Sequence, residues 1–242
     1  MRTTLRVISA LLRYPDELVQ EAAGEFAAAL AGEAVLSSDQ IAELIPLIDR
    51  LDQTELLELQ EDYVGLFDRG RAHSLHLFEH VHGESRDRGQ AMVDLRDRYE
   101  AVGLEITAKE LPDYLPLFLE YLSTLPEPQA REELAEPGVI LAALAQRLAE
   151  QDAAYAAPLY VLCQLAGVDD AVMAATADVI APADDPEDLE ALDAAWEAEQ
   201  VTFGAPQAPG DAPACPQASE MVAGFAIPGK AAEQEPASDR SR

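Results

Sequence analysis

The sequence predicts an all-α protein. Apolar residues recur at three- and four-residue spacing along most of the chain, no stretch alternates apolar with polar residues as a half-buried strand would, and β-branched residues never cluster. Helix-start chemistry also sits where the apolar stripes begin. With 242 residues the chain is long enough for one large or two modest domains, and for a core that needs no disulfide staples.

The elements follow in order. Val7 to Leu12 is apolar, but Arg13 ends the run well short of a signal peptide's apolar region. Pro15, Asp16 and Glu17 open a helix, with proline in the first turn and acids at the positive end of the helix dipole. Ser37-Ser-Asp-Gln40 reads as a capping box, and Ile41, Leu44, Ile45 and Ile48 repeat behind it. Leu56, Leu59, Tyr63, Leu66 and Phe67 make the next stripe. Met92, Leu95, Tyr99 and Val102 make another, with Glu84–Arg88 and Asp94–Arg98 as supporting i,i+4 pairs.

Between Leu111 and Leu125 the pattern changes. Leu111, Leu115, Phe118, Leu122 and Leu125 form one face, while Tyr114, Leu117 and Tyr121 form a second. A helix apolar on two sides belongs in the middle of a bundle. Thr107 to Glu110 is read as its cap, and Pro112 as a restart or kink. Further helices are expected over 128–150 and 152–167, and a last amphipathic one begins at Asp185 and carries Leu189, Leu192 and Trp196.

Charge excludes several functions. Sixteen Lys and Arg against 46 Asp and Glu give a net charge of −30, which repels nucleic acid and anionic membrane alike. No apolar run approaches the roughly 20 residues of a membrane helix, so the expectation is a protein of the cytoplasm. Cys163 and Cys215 have no ligand spacing and read as reduced thiols. After Phe203 the chain turns to Pro, Ala, Gly and Gln. The expected organisation is therefore a single helical-bundle domain over 1–203 and a flexible Pro/Ala-rich tail over 204–242.

Two constellations invite a chemical reading. His76-Leu-Phe-Glu79-His80 fits the H-x-x-E-H pattern of some zinc peptidases, provided a helix brings both imidazoles to one face. Such a short pattern is weakly specific, and polar contacts at a helix junction explain the same histidines. No nucleophile elbow, dinucleotide fingerprint or phosphate loop is present, and no resident cofactor is expected. The second constellation is Glu110, Asp113 and Glu120 beside Leu117 and Tyr121. Apolar side chains flanked by acids suit a basic amphipathic peptide laid between helices, although aromatics at helical spacing are more often core.

Three blocks carry a family resemblance: Tyr63-Val-Gly-Leu-Phe67-Asp-Arg-Gly-Arg71, Ser74 through Met92, and Glu110-Leu-Pro-Asp-Tyr-Leu-Pro-Leu-Phe-Leu-Glu-Tyr-Leu122. They resemble the NarJ-type assembly chaperones of respiratory nitrate reductase, within the wider TorD-like family of molybdoenzyme chaperones. The likeness runs over roughly residues 3–203 and includes Leu192 to Val201. It implies a helical bundle that binds the apo catalytic (alpha) subunit through that subunit's N-terminal peptide. It also implies that the chaperone holds its client open for molybdenum cofactor and iron–sulfur insertion before membrane attachment, and is absent from the finished enzyme. Contact with the proteins that deliver the cofactor is a further implied possibility. Under this reading Tyr63, Phe67, Tyr114, Leu117 and Tyr121 are the apolar candidates for the peptide site, and Glu110, Asp113 and Glu120 the acidic ones. Arg71, His80, Glu84, Asp87 and Arg88 are candidates for ordering the motif loop and touching the client. The alternatives are a chaperone for a different molybdoenzyme and, less favoured, a zinc hydrolase on His76, Glu79 and His80.

Overall fold

The N-terminal residues, which carry no start signal, form the first helix of the protein. A computed structural model describes residues 1–69, 71–82, 86–106 and 110–176. Helix α1 (Arg2–Leu12) buries Leu5, Ile8, Leu11 and Leu12 almost completely and packs against α2, α7 and α10. The short run that ends at Arg13 is thus a core element. Helix α2 (Glu17–Glu33) starts later than expected: Asp16 is its cap, accepting the Val19 amide at 2.9 Å, so Pro15 precedes the helix and does not sit in its first turn, while Glu17 does. In α3 (Ser38–Gln53) the capping box forms, with the Gln40 amide on Ser37 Oγ at 3.2 Å and the Ser37 amide on Gln40 Oε1 at 2.8 Å. Helix α4 (Leu56–Phe67) buries Leu59, Tyr63 and Phe67.

The motif region is less regular. A 3-10 turn (Arg71–His73), a short extended stretch and the one-turn helix α5 (Glu79–His82) lead into α6 (Arg86–Ala101). Helix α6 buries Leu95 and Tyr99, as its stripe requires. The expected Asp94–Arg98 pairing is replaced. Asp94 takes the Gln90 side-chain amide at 2.7 Å, while Arg98 reaches Glu136 at 3.3 Å and Glu133 at 3.8 Å on the neighbouring segment. Glu84, the other expected partner on this helix, lies outside the described residues.

The expected helix over 111–125 is shorter than its apolar pattern. Helix α7 (Leu115–Leu122) begins after a turn at Leu111–Tyr114, with Pro116 in its first turn. Pro116 has no N–H to lose there and holds the φ a helix needs, so the chain restarts at it instead of at Pro112. The cap expected over 107–109 lies outside the described residues, and Glu110 is not helical.

Two helices replace the one expected over 128–150. Helix α8 (Glu127–Ala135) stops before Pro137, which cannot donate and clashes with the preceding turn, and α9 (Gly138–Gln151) starts after it. Helix α10 (Ala153–Ala166) is capped by Asp152, whose carboxylate accepts the Ala154 amide at 3.0 Å. It ends at Gly167, with φ of 73°, where the Val168 amide returns to the Cys163 carbonyl at 2.9 Å.

The helix at the centre of the bundle is α10. It is apolar around its circumference and packs on α1, α3, α8 and α9, whereas α7 is paired mainly with α1. Cys163 is buried within it, and that burial pushes its thiol up to about 12, as an inert core thiol requires. Arg50 ties three elements together. It pairs with Asp152 at the start of α10 and with Asp62 of α4 at 2.7 Å, and its guanidinium lies 5.6 Å from the Tyr155 ring centre. The last helix among the described residues, the short α11 (Asp170–Ala175), packs on α9. The described residues belong to a compact unit that spans Met1–Glu197. The expected helix from Asp185 and the tail over 204–242 lie outside the description.

Candidate functional site

The site is built where two extended segments meet. Residues 75–77 run antiparallel to 113–115: the Leu77 amide donates to the Asp113 carbonyl at 3.0 Å, and the Leu115 amide to the Leu75 carbonyl at 2.8 Å. The bridge sets His76 beside Tyr114, their rings 5.4 Å apart. Tyr114 therefore leaves the helix stripe on which periodicity places it and becomes a wall between two concavities.

The first concavity has a volume of ≈ 390 Å³. Tyr63 and Phe67 floor it, His76 and Tyr114 stand at its sides, and Asp68, Arg69 and Glu79 supply charge. The Tyr63 hydroxyl donates to the Leu12 carbonyl at 3.0 Å and meets the Tyr114 hydroxyl at 3.0 Å. Desolvation, with the neighbouring phenol, raises the Tyr63 pKa far above the ordinary range, so both tyrosines act as neutral hydrogen-bonding groups. Phe67 rests on Tyr155 of α10 at 5.2 Å, which fixes the floor to the core.

The second concavity, of ≈ 460 Å³, lies on the other side of Tyr114. Its apolar surface comes from Tyr14, Ile106, Pro116 and Leu117. Among the described residues its charge comes from Asp16, Glu105, Glu110 and Glu120 against Arg13, and Arg13 is already paired with Asp16 at 3.1 Å. Tyr14 stands 44% exposed at the end of α1, edge-on to Tyr63 at 5.5 Å. The net result is an apolar trough edged by Glu105, Glu110 and Glu120, for which no ion pair is formed among the described residues.

The sequence-predicted residues divide across this geometry. Glu110, Tyr114, Leu117 and Glu120 come together in the second concavity, and Tyr63, Phe67 and Tyr114 in the first. Asp113 does not belong with them. It is 0% exposed, accepting the Phe78 amide at 3.1 Å and lying 3.1 Å from His76 Nδ1, with Arg88 3.9 Å away. A carboxylate so enclosed organises the loop and has no face for a client, so its expected role is corrected. Tyr121 is corrected too: it is 3% exposed, stacks on Tyr99 at 4.8 Å and donates to Glu133 at 2.8 Å. Its burial and the Glu133 bond push its phenol up to about 12.

The motif loop is tied down from several directions. Arg88 pairs with Glu79 at 3.2 Å as well as approaching Asp113. His80 Nε2 lies 2.8 Å from the Ser74 carbonyl, so this nitrogen carries a proton and donates there, while burial lowers the ring's pKa against the effect of that bond. His76 behaves oppositely: the hydrogen bond to Asp113 raises its pKa against the effect of burial. Arg71 falls in the 3-10 turn and Asp87 in the first turn of α6, with side chains outside the description, and Glu84 lies outside the described residues.

These contacts remove the basis for a zinc site. His76 is in the bridge and only Glu79 and His80 are helical, so the two imidazoles share no helix face. Each is also committed to an oxygen acceptor. Among the described residues no three His, Cys, Asp or Glu side chains are grouped to hold a metal ion.

Sequence reasoning missed Arg13, Tyr14, Glu105 and Ile106, which line the second concavity from α1 and from the loop after α6. The one local signal was an aromatic residue beside Pro15 at a helix end, where no core stripe accounts for it.

Comparison with known proteins places this architecture. The family described as nitrate reductase delta subunit matches residues 14–161. The probable nitrate reductase molybdenum cofactor assembly chaperone NarW of Escherichia coli K12 is 46% identical over 199 residues, covering 82% of this chain and 83% of its own. The chaperone NarJ of the same strain is 45% identical over 211 residues, 86% of this chain and 87% of that one. Bacillus subtilis NarJ, described as probable, is 33% identical over 160 residues, 66% of this chain and 85% of that one. A solved structure of a putative redox enzyme maturation protein from Archaeoglobus fulgidus shares the fold, with a TM-score of 0.50, 21% identity, and coverage of 68% of this chain and 92% of that one. The chain belongs to the nitrate reductase delta subunit family, that of the molybdenum cofactor assembly chaperones of nitrate reductase.

Proposed function

We propose that this protein is a dedicated chaperone of a respiratory nitrate reductase, which takes the N-terminal peptide of the apo catalytic (alpha) subunit into the two concavities around Tyr114. The observation that carries the reading is the trough itself. Tyr14, Ile106 and Leu117 offer apolar contact, and Glu105, Glu110 and Glu120 edge it without a basic partner among the described residues. An amphipathic segment with Lys or Arg on one side satisfies both halves of that surface. Held there, the client remains open for molybdenum cofactor and iron–sulfur insertion, and the chaperone leaves before the enzyme reaches its membrane anchor. The protein then works in the cytoplasm and forms no part of the mature enzyme, with the cofactor as the client's cargo.

Release needs differential affinity, since a ligand bound equally by both client states shifts nothing. A hundredfold preference for the apo form requires only about 2.7 kcal/mol. Burial of the peptide in the matured client removes the contacts that supply it.

Calorimetry with a synthetic peptide of the catalytic subunit's N-terminus tests this. Binding is expected at low salt and should weaken as the screening length falls from about 10 Å at 0.1 M to about 3 Å at 1 M. Absence of binding at both ionic strengths would refute the assignment.

A further inference from the structure

A third, more apolar concavity lies behind the bridge, on the face away from His76. Side chains alternate across the extended segment, so Leu77 points to the opposite side from His76. There Leu77, Phe78, Leu95, Phe118, Pro137 and Ile140 enclose ≈ 310 Å³ between α6, α7 and the start of α9. Asp94, Arg98 and Glu136 stand around it, and Arg98 is already engaged by Glu136. The rim is therefore close to neutral and short of free cations, which makes this groove unlike the acid-edged site of the client.

The described chain stops within reach of it. Helix α11 packs on α9, the Gln146 side-chain amide donates to the Met173 carbonyl, and Thr176 is buried beside them. Beyond it, Asp185 to Glu197 carries Leu189, Leu192 and Trp196 at helical spacing, with acids at 187, 188, 190, 193 and 197 on the other positions. A lone apolar stripe of this kind has to be covered by another surface. Helix α9 has 14 residues and spans about 21 Å at 1.5 Å per residue. About 13 residues separate Thr176 from Leu189, an extended reach of roughly 43 Å at 3.3 Å each. The tether is thus ample to return along α9 to Ile140.

We propose that residues Asp185–Glu197 of the same chain dock as an amphipathic helix in the groove between α6, α7 and α9, with Leu189, Leu192 and Trp196 seated against Phe78, Phe118 and Ile140. The occupant is intramolecular because the tether holds it at high effective concentration beside a groove its stripe matches. Apolar burial drives the docking, and charge opposes it: the helix acids face Asp94 and Glu136 across the rim. Added salt should therefore tighten this contact, the reverse of its effect on the basic client peptide.

Trp196 is the sole tryptophan, so the full-length protein carries its own probe. The expected result is a blue-shifted emission with acrylamide quenching several-fold weaker than for N-acetyltryptophanamide. Ile140→Glu in the groove and, separately, the pair Leu189→Ser with Leu192→Ser on the stripe should each return emission and quenching to the free values, with far-UV circular dichroism retaining the bundle's helical signal. The segment variant leaves every described core residue intact, so it reports even if Ile140→Glu fails to fold. Three results would overturn the proposal: a wild-type Trp196 quenched like the free indole, a protected Trp196 indifferent to both variants, or protection lost on dilution with loss of a dimer. The last would mean that a second copy supplies the helix.

Discussion

Replacing Asp113 separates a structural carboxylate from a client-binding one. In the fold it accepts the Phe78 amide at 3.1 Å, lies 3.1 Å from His76 Nδ1 and has Arg88 at 3.9 Å, all with no exposure to solvent. Asp113→Asn keeps one oxygen for one of these donors and turns an N–H₂ group toward another. A hydrogen bond to a charged group contributes about 1.5–3 kcal/mol, so the variant should lose about 2–3 kcal/mol. Asp113→Ala removes both acceptor oxygens from this enclosed network, and about 3–5 kcal/mol is expected. Urea denaturation followed by circular dichroism reads this directly. At a slope of about 3 kcal/mol per molar, the Asn variant should unfold roughly 1 M earlier. A double-mutant cycle with His76→Phe should give a coupling of at least about 0.5 kcal/mol. An unfolding midpoint that stays put in Asp113→Asn, together with additivity in the cycle, would refute the network.

The exposed acids should behave in the opposite way. Glu110→Lys with Glu120→Lys reverses two solvent-facing charges on the trough, so stability should change by less than about 0.5 kcal/mol while client-peptide affinity falls about tenfold by calorimetry. Unfolding of that double variant, or undiminished affinity, would move the peptide site elsewhere. His76 adds a pH dependence whose sign is set by its raised folded pKa. Its pair with Asp113 contributes fully below the unfolded value of 6.5 and is lost as pH rises through the folded value. The stability difference between wild type and His76→Gln should accordingly shrink from pH 6 to pH 9, and a difference that grew over that range would contradict the assignment.

Much of the fold was legible because it rests on local chemistry. The Ser37–Gln40 box is settled within four residues, so sequence reads it correctly, whereas at α2 it finds the helix start but sets it at Pro15, ahead of the Asp16 cap. The misreadings share another origin. Helix α1 lacks a capping side chain, and its core role emerges only from α7 and α10 packing on it. Helix α7 carries two prolines within reach of its start, and sequence alone does not say which one the backbone uses; the pairing of 113–115 with 75–77 decides it. That same pairing buries Asp113 and exposes Glu110, three residues away. Residue type cannot separate two carboxylates whose fates depend on a segment nearly forty positions upstream.

The trough's anatomy sets what the client can gain from it. Tyr63 and Phe67 are nearly buried by their own neighbours, so they shape the floor and have little area left to give. The available apolar surface is that of Tyr14, Ile106, Tyr114 and Leu117, ringed by acids. At about 25 cal/mol per Å², the 2.7 kcal/mol of a hundredfold preference for the apo client would correspond to roughly 110 Å² of apolar contact. One or two side chains of the peptide cover that much. Under the proposed function, release would need no rearrangement of the bundle: withdrawal of a single apolar anchor into the maturing client would be enough, because exposed ion pairs such as those on the rim are worth only about 0–1 kcal/mol each. On that proposal, a rigid floor with a charged rim would bind such a segment quickly and give it up for a small change in the client, which is the balance a transient assembly partner requires.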